Sequence, residues 1–279
     1  MGIVARTKIL IPKSELFRLY VTERQSPRKI GERYGCDAIT VRTRLKDAGI
    51  PLKSKSAAQT RYARRSFDGS NIEKAYLLGF KYGDLNAYVP SGASETIVVR
   101  SHTTHEAQVA LFTQMFAQYG KVTTSRNAKS IQSTCYLDTS FSFLLGKYPK
   151  NIRDWLLADE QLLWAFTGGY VDAEGTFGLN QGKGRFKIDA YDAEILADLH
   201  QLFLLHGLRS KSRIIARKGE NDYGWEWEKD VWRVSVNEAA SLEKLIALLV
   251  PHLKHRKRIL DAKKVLTNIR QRRKNGTIP

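Results

Sequence analysis

Cysteine is nearly absent. Cys36 and Cys135 are the only two in 279 residues, they stand far apart, and no CxxC pair exists. That count excludes a disulfide framework and a zinc finger. The six histidines show no ligand clustering, and His102-x-x-His105 is too isolated to read as a metal site. No apolar run approaches the roughly 20 residues that a membrane-spanning helix needs. No apolar signal-peptide core follows Met1 either, so the expectation is a cytoplasmic, nucleoid-associated location with no membrane partner. No intein splice-junction features are present, which argues against protein splicing.

Acidic residues are the other scarcity, and an uneven one. Asp and Glu number 28 against 46 Lys and Arg, a formal net charge of +18. Residues 1–70 hold 16 basic and 6 acidic residues, residues 251–279 hold 10 and 1, and residues 71–250 hold 20 and 21. Positive charge at both ends of a neutral centre points to a polyanion, nucleic acid ahead of an acidic membrane surface. With 42% hydrophobic residues the chain can build genuine cores, and its length suits two or three compact units.

In the N-terminal part, Leu16, Leu19 and Tyr20 have helical spacing from Ser14, a candidate N-cap, to Glu23. Ser26-Pro27 supplies an N-cap followed by proline at the first helical position and opens a short helix through Ile30 and Tyr34. Gly35-Cys36-Asp37 makes a turn. A third helix carries Val41, Leu45 and Ala48 inward and stops at Gly49 before Pro51. Two short helices joined by a tight glycine turn form the helix-turn-helix pattern, similar to modules of transposases and sigma factors. Thr40, Arg42, Thr43, Arg44 and Lys46 are then expected on the exposed side of a recognition helix. A three-helix scaffold with a solvated basic face would look the same. Residues 52–70, polar and basic through Lys53, Lys55, Arg61, Arg64 and Arg65, read as a linker able to follow a phosphate backbone.

The centre of the chain repeats itself. Leu162 to Glu174 reads as a helix of apolar and small residues that stops at Gly175 with Asp172 and Glu174 in its last turn. Acids there meet the negative end of the helix dipole, a cost that a bound cation would offset. Gly169 and Ala173 leave a flat strip where a second backbone can approach. Tyr76 to Leu85 repeats the pattern, with Gly79 and Gly83 as its small pair and Asp84 where Glu174 stands, 90 positions earlier. After each helix the same order follows. In the first half, strands are expected at Thr96–Ser101, Lys121–Arg126 and Ile131–Leu137, with helices at Glu106–Tyr119 and Phe141–Leu145. In the second, strands are expected at Thr176–Asn180, Arg185–Asp189, Ser212–Lys218 and Val231–Val236, with helices at Ala193–Leu205 and Glu238–Leu249. Arg126 and Arg213 each come six residues after the glycine that closes the mid helix. Arg185 and Lys187 alternate with Phe186 and Ile188, and Arg233 and Ser235 with Val234 and Val236, so each strand has one core face and one long polar face. An ordinary solvated sheet face gives the same alternation. Of the five tryptophans, Trp225 and Trp227 fall in an exposed hairpin and the others read as packing residues.

Thr167 to Gly175 resembles the nine-residue signature of the LAGLIDADG homing endonucleases, and Leu77 to Leu85 resembles a looser first copy. The resemblance implies an α+β fold: a duplicated αββαββα unit with pseudo-twofold symmetry, residues 71–158 and 159–279, beside a small all-α helix-turn-helix domain at 1–51. It implies double-strand cleavage of DNA by a monomer, with Asp84 and Glu174 as ligands of Mg²⁺ or Mn²⁺. It also implies two sheets saddled over the duplex, with Arg100, Arg126, Arg185, Lys187, Arg213, Arg217 and Arg233 facing DNA. Arg256 occupies the family's basic position in Pro251-His252-Leu253-Lys254-His255-Arg256, and Lys257 follows it; either could reach the acids. Asp172 reads as a helix-end or capping residue. The first copy departs from the pattern at Lys81, Tyr82 and Leu85. Leu85 stands where glycine is usual, awkward if that position needs positive φ, and Lys81 must snorkel or find a partner. Three functions are open: an intron-borne or free-standing DNA endonuclease, a non-cleaving WhiA-like regulator, and a maturase binding intron RNA.

Overall fold

A computed structural model of the chain describes residues 10–54, 62–92, 94–146, 148, 150–222 and 225–278. Lys55 and Arg61 of the expected linker lie outside the described residues. The chain divides into two compact units, Met1–Arg61 and Tyr62–Pro279.

The small unit holds α1 (Lys13–Phe17), which runs on through one π turn (Arg18–Thr22), then α2 (Pro27–Tyr34) and α3 (Ala38–Asp47). The first helix starts one residue before Ser14, behind Pro12, whose fixed φ of -57° already suits the entry. The second has its expected cap, the Lys29 amide donating to Ser26 Oγ (3.3 Å), and in the third the turn residue Asp37 is the cap, its Oδ1 accepting from the Thr40 amide (2.6 Å). Gly35 closes α2 with φ +66°, a left-handed conformation that glycine enters without strain. Leu16, Leu19, Tyr20, Ile30, Val41, Leu45 and Ile50 form its buried core.

The large unit repeats one plan twice. Its first half runs α4 (Asn71–Asp84), β1 (Asn86–Tyr88), β2 (Ile97–Thr103), α5 (Glu106–Phe116), β3 (Val122–Arg126), β4 (Ile131–Leu137) and a 3-10 turn (Thr139–Leu144). After α6 (Lys150–Leu157), the second runs α7 (Glu160–Glu174), β5 (Gly175–Asn180), β6 (Lys183–Ala190), α8 (Ala193–Leu205), β7 (Ser210–Ala216), the hairpin β8 (Asn221–Asp222) and β9 (Trp225–Glu226), β10 (Val231–Val236) and α9 (Ala239–Leu249). The tail helix α10 covers Arg256–Lys274. The two four-stranded antiparallel sheets have the same order, β1-β2-β4-β3 and β5-β6-β10-β7. The duplicated αββαββα arrangement expected from the sequence is present.

Two domain boundaries differ from the sequence reading. Residues 62–70 are no free linker: the Phe67 ring packs against Tyr119, Phe141 and Phe143, the Arg65 amide donates to Tyr119 O (2.8 Å), and Arg64 donates to Thr96 Oγ1 (2.7 Å) and Leu137 O (3.0 Å). One aromatic side chain and a few backbone bonds suffice to strap the segment to the first half. Helix α6, placed in the first half by position, packs into the second half's core through Leu156, and its Arg153 grips the buried Asp198 of α8 at 2.7 and 2.6 Å.

Candidate metal centre and nucleic-acid interface

Helices α4 and α7 touch along their small residues. A Cβ on Gly79 would stand 2.8 Å from the Tyr170 nitrogen and closer still to the Phe166 carbonyl oxygen. A Cβ on Gly169 would meet the Phe80 nitrogen at 2.8 Å and crowd the Tyr76 carbonyl oxygen in the same way. The two contacts mirror each other, as a local twofold axis requires. One turn on, Gly83 faces Ala173, and a Cβ there would come within 3.1 Å of Glu174 Cγ. The residue before Asp84 thus lies against Glu174, and the two acids finish their helices side by side.

Asp84 Oδ2 accepts from Ser101 Oγ on β2 (2.8 Å) and Gln108 Nε2 on α5 (2.5 Å). Burial raises its proton affinity, and these two bonds oppose the rise. Glu174 receives no hydrogen bond from a side chain among the described residues. Burial, then the charges of Asp84 and Asp192, push its carboxyl up to about 7, while Arg258 works in the opposite direction. Asp192 is held by the Tyr170 hydroxyl (3.1 Å). Nothing in the spacing of the sequence marked Asp192, Ser101 or Gln108; only tertiary packing brings them here.

Asp172 sits at 0% exposure and works as a clamp. Its Oδ2 accepts from the Tyr76 hydroxyl (2.6 Å) and from the backbone amides of Lys254 (2.6 Å) and His255 (3.0 Å), the segment that leads into α10. Asp172 was expected as a helix-end or capping residue; it lies in the last turn of α7, and its carboxylate ties the tail to α4 instead of capping a helix.

The basic tail corrects one expectation. Arg256 and Lys257 are both exposed on the first turn of α10, and Lys257 pairs with Asp261 (2.7 Å). The guanidinium turned toward the acids belongs to Arg258: its Nη2 stands 3.4 Å from Ala173 O, and burial depresses its proton affinity against the pull of Asp172, Asp261 and Glu174. His255, at 3% exposure, lies beside it, with burial and then Arg258 lowering the imidazole to about 4.

The first-copy departures are accommodated. Lys81 Nζ donates to Gly146 O and lies 4.3 Å from the Tyr82 ring centre. Leu85 has φ -105° and Gly175 φ -72°, so neither copy needs a left-handed residue at this position. What Gly175 requires is room, because a Cβ there would stand 2.6 Å from Val171 Cγ1. The Val171 carbonyl oxygen, at 2.8 Å, crowds that position as well.

On the second sheet, Phe186, Ile188, Val234 and Val236 are buried while Arg185, Lys187, Arg233 and Ser235 lie on the opposite face, as the alternation implies. Arg233 is in register with Asp189 and Arg213 on the flanking strands. It binds Asp189 at 2.6 and 2.7 Å, and Lys187 shares that carboxylate at 2.5 Å. Arg213 and Arg217 are exposed, Arg217 beyond the end of β7. In the first half, Arg100 lies over the Tyr88 ring at 5.2 Å, and Arg126 pairs with Glu106 (3.0 Å). In α3, Arg42 and Thr43 are exposed as expected, whereas Thr40 is half-buried and Arg44, also half-buried, turns toward Asp47 (3.4 Å).

Residues 162–249 match the LAGLIDADG-like domain family. This stretch is similar to LAGLIDADG-like domains. The matched residues run from within α7 to the end of α9 and contain Glu174; Asp84 lies outside them. No curated protein matches the chain. Among solved structures, I-DmoI in complex with DNA and manganese is 16% identical over 64% of this chain and 97% of that one, with a TM-score of 0.45. The homing endonuclease I-WcaI bound to its DNA recognition sequence is 12% identical over 69% and 86%, with a TM-score of 0.48. The LAGLIDADG meganuclease I-AabMI bound to uncleaved DNA is 12% identical over 72% and 92%, with a TM-score of 0.45.

No group of three or more His, Cys, Asp or Glu among the described residues forms a ready metal cage. The donors at the helix ends are two carboxylates, oxygen ligands whose mutual repulsion a cation would relieve. That set fits a hard divalent ion such as Mg²⁺ or Mn²⁺, which keeps several of its own waters and takes one or two carboxylates.

Proposed function

We propose that the chain is a divalent-metal-dependent DNA endonuclease acting as a monomer, since one chain supplies both acidic helix ends. The observation that carries this reading is the meeting of Asp84 and Glu174 at the ends of two glycine-packed helices, with Glu174 driven up to about 7 by burial and by Asp84. An uncompensated pair of that kind destabilises the fold, and a bound cation removes the cost. When bound, Mg²⁺ or Mn²⁺ supplies Lewis-acid stabilisation of phosphate charge and a water of lowered pKa. Asp84 and Glu174 hold the ion, and Ser101 and Gln108 keep the Asp84 carboxylate ionised and oriented. Arg258 offers positive charge beside Glu174 for the phosphate, while Arg256 and Lys257, on the exposed first turn, bind the DNA backbone. Arg100, Arg126, Arg185, Lys187, Arg213, Arg217 and Arg233 form the duplex-binding faces, where phosphates displace Asp189 and Glu106 as partners of Arg233 and Arg126.

Incubating plasmid libraries with Mg²⁺ tests the reading. Wild type cuts at defined sites; Asp84→Asn and Glu174→Gln each lose on the order of 10³-fold or more of the cleavage rate while still binding the same DNA in Ca²⁺. Undiminished cleavage by the double variant, or no cleavage by wild type on any substrate it binds, overturns it.

A further inference from the structure

The outward stripe of α3 contains one residue that does not belong on a solvated basic face. At about 100° per residue, Ile39, Arg42, Thr43 and Lys46 project within one narrow sector, and all four are exposed. Val41 and Leu45 point the opposite way at 0% exposure. Ile39 is 70% exposed, sits at the second position of the helix, and has its carbonyl taken by the Thr43 hydroxyl (3.1 Å). A β-branched side chain gains nothing in helix propensity at a wet first turn. In a helix-turn-helix the first turn of the second helix is the part that meets base edges. The one apolar feature on the major-groove edge of DNA is the 5-methyl group of thymine.

We propose that Ile39 is a specificity-determining residue that contacts a thymine methyl in the major groove, with Arg42 and Lys46 beside it on base edges or phosphate. The proposal rests on the reading of the small unit as a DNA-binding module. Charge complementarity supports a duplex as the occupant: two cations flank the isoleucine on the same stripe.

The full chain, held in EDTA so that no DNA is cut, selects duplexes from a randomised library. The selected sequence is then resynthesised with deoxyuridine replacing each thymidine in turn, which removes one methyl and nothing else. Loss of a single buried methyl contact lowers wild-type affinity about fourfold at one position. Ile39→Ala binds the thymidine and deoxyuridine duplexes equally there. Equal binding by wild type at every position, or discrimination retained by Ile39→Ala, overturns the proposal. A shift in the oligomeric state of Ile39→Ser with thymine discrimination intact also overturns it, assigning Ile39 to a protein interface instead. Arg42→Ala separates the two levels: if it leaves affinity for the selected duplex unchanged, the DNA-binding reading of the small unit fails, whereas weakened binding without methyl discrimination defeats only the role of Ile39. Because Ile39 is exposed, Ile39→Ala keeps the far-ultraviolet dichroism and melting temperature of wild type.

Discussion

In the first half of the large unit, Asp84 is gripped by Ser101 and Gln108; in the second, Glu174 has no such donors among the described residues and faces the charges of Asp84 and Asp192. Directly behind these ends the halves are nearly interchangeable, with Gly79 seated on Phe166 and Tyr170 just as Gly169 is seated on Tyr76 and Phe80. The contrast shows two constraints at work. Close approach of two backbones is steric and has one solution, so both copies adopt it. Holding a carboxylate near a helix C-terminus has several solutions, so the copies diverge there.

The seam should therefore respond symmetrically. Gly79→Leu and Gly169→Leu each drive a side chain into facing backbone, and each should cost on the order of 4 kcal/mol or more, read from urea unfolding. A harmless substitution at either position would mean that the helices do not touch there. Between the 79/169 contacts and the acids, symmetry should fail. Asp172→Ala leaves the Tyr76 hydroxyl and two backbone amides buried without their acceptor and should cost about 3 kcal/mol. Tyr82→Phe, at the matching place in the first copy, should stay under about 1 kcal/mol.

The acids themselves should split by pH. Glu174 titrates near 4.5 when unfolded and about 7 when folded, so between those values the native chain holds a proton that the unfolded chain has released. The stabilisation from that proton is fully present below 4.5 and disappears as the pH rises through 7. In EDTA the unfolding free energy should fall across this window by on the order of 3 kcal/mol. Glu174→Gln should flatten the slope, and Asp84→Asn should narrow it by removing one of the charges that raises Glu174. The smallest expected effect is at Gln108. Gln108→Leu takes a donor from ionised Asp84, raises its proton affinity, and should move the acid limb of the cleavage profile upward by roughly half to one pH unit.

Periodicity and small-residue spacing made the duplication legible, because backbone approach leaves a direct imprint on sequence: a Cβ at 79 or 169 meets facing backbone, and one at 83 meets the Cβ of Ala173. The alternation along β6 and β10 was legible for a similar reason, since each residue has only two faces to choose from. The tail was not. Neither Arg256 nor Lys257 could be preferred there; a helix begins at Arg256, and a rotation of about 100° per residue turns Arg258 inward and those two outward. The linker reading failed at Phe67, where one aromatic ring finds three others from distant positions. On α3, attention to hydrogen-bonding side chains favoured Thr40 and Arg44, although helical geometry places Ile39 with Arg42, Thr43 and Lys46. Leu85 was doubted for a left-handed backbone that neither copy adopts.

The central claim is that two packed helices bring Asp84 and Glu174 to one divalent ion. The most direct measurement is anomalous diffraction from crystals of the full chain grown with Mn²⁺ and the DNA it selects. The account predicts a manganese peak between the ends of α4 and α7, about 2.0–2.3 Å from carboxylate oxygens of both acids. Manganese bound elsewhere, with both carboxylates free of metal in a complex that cuts DNA, would contradict it.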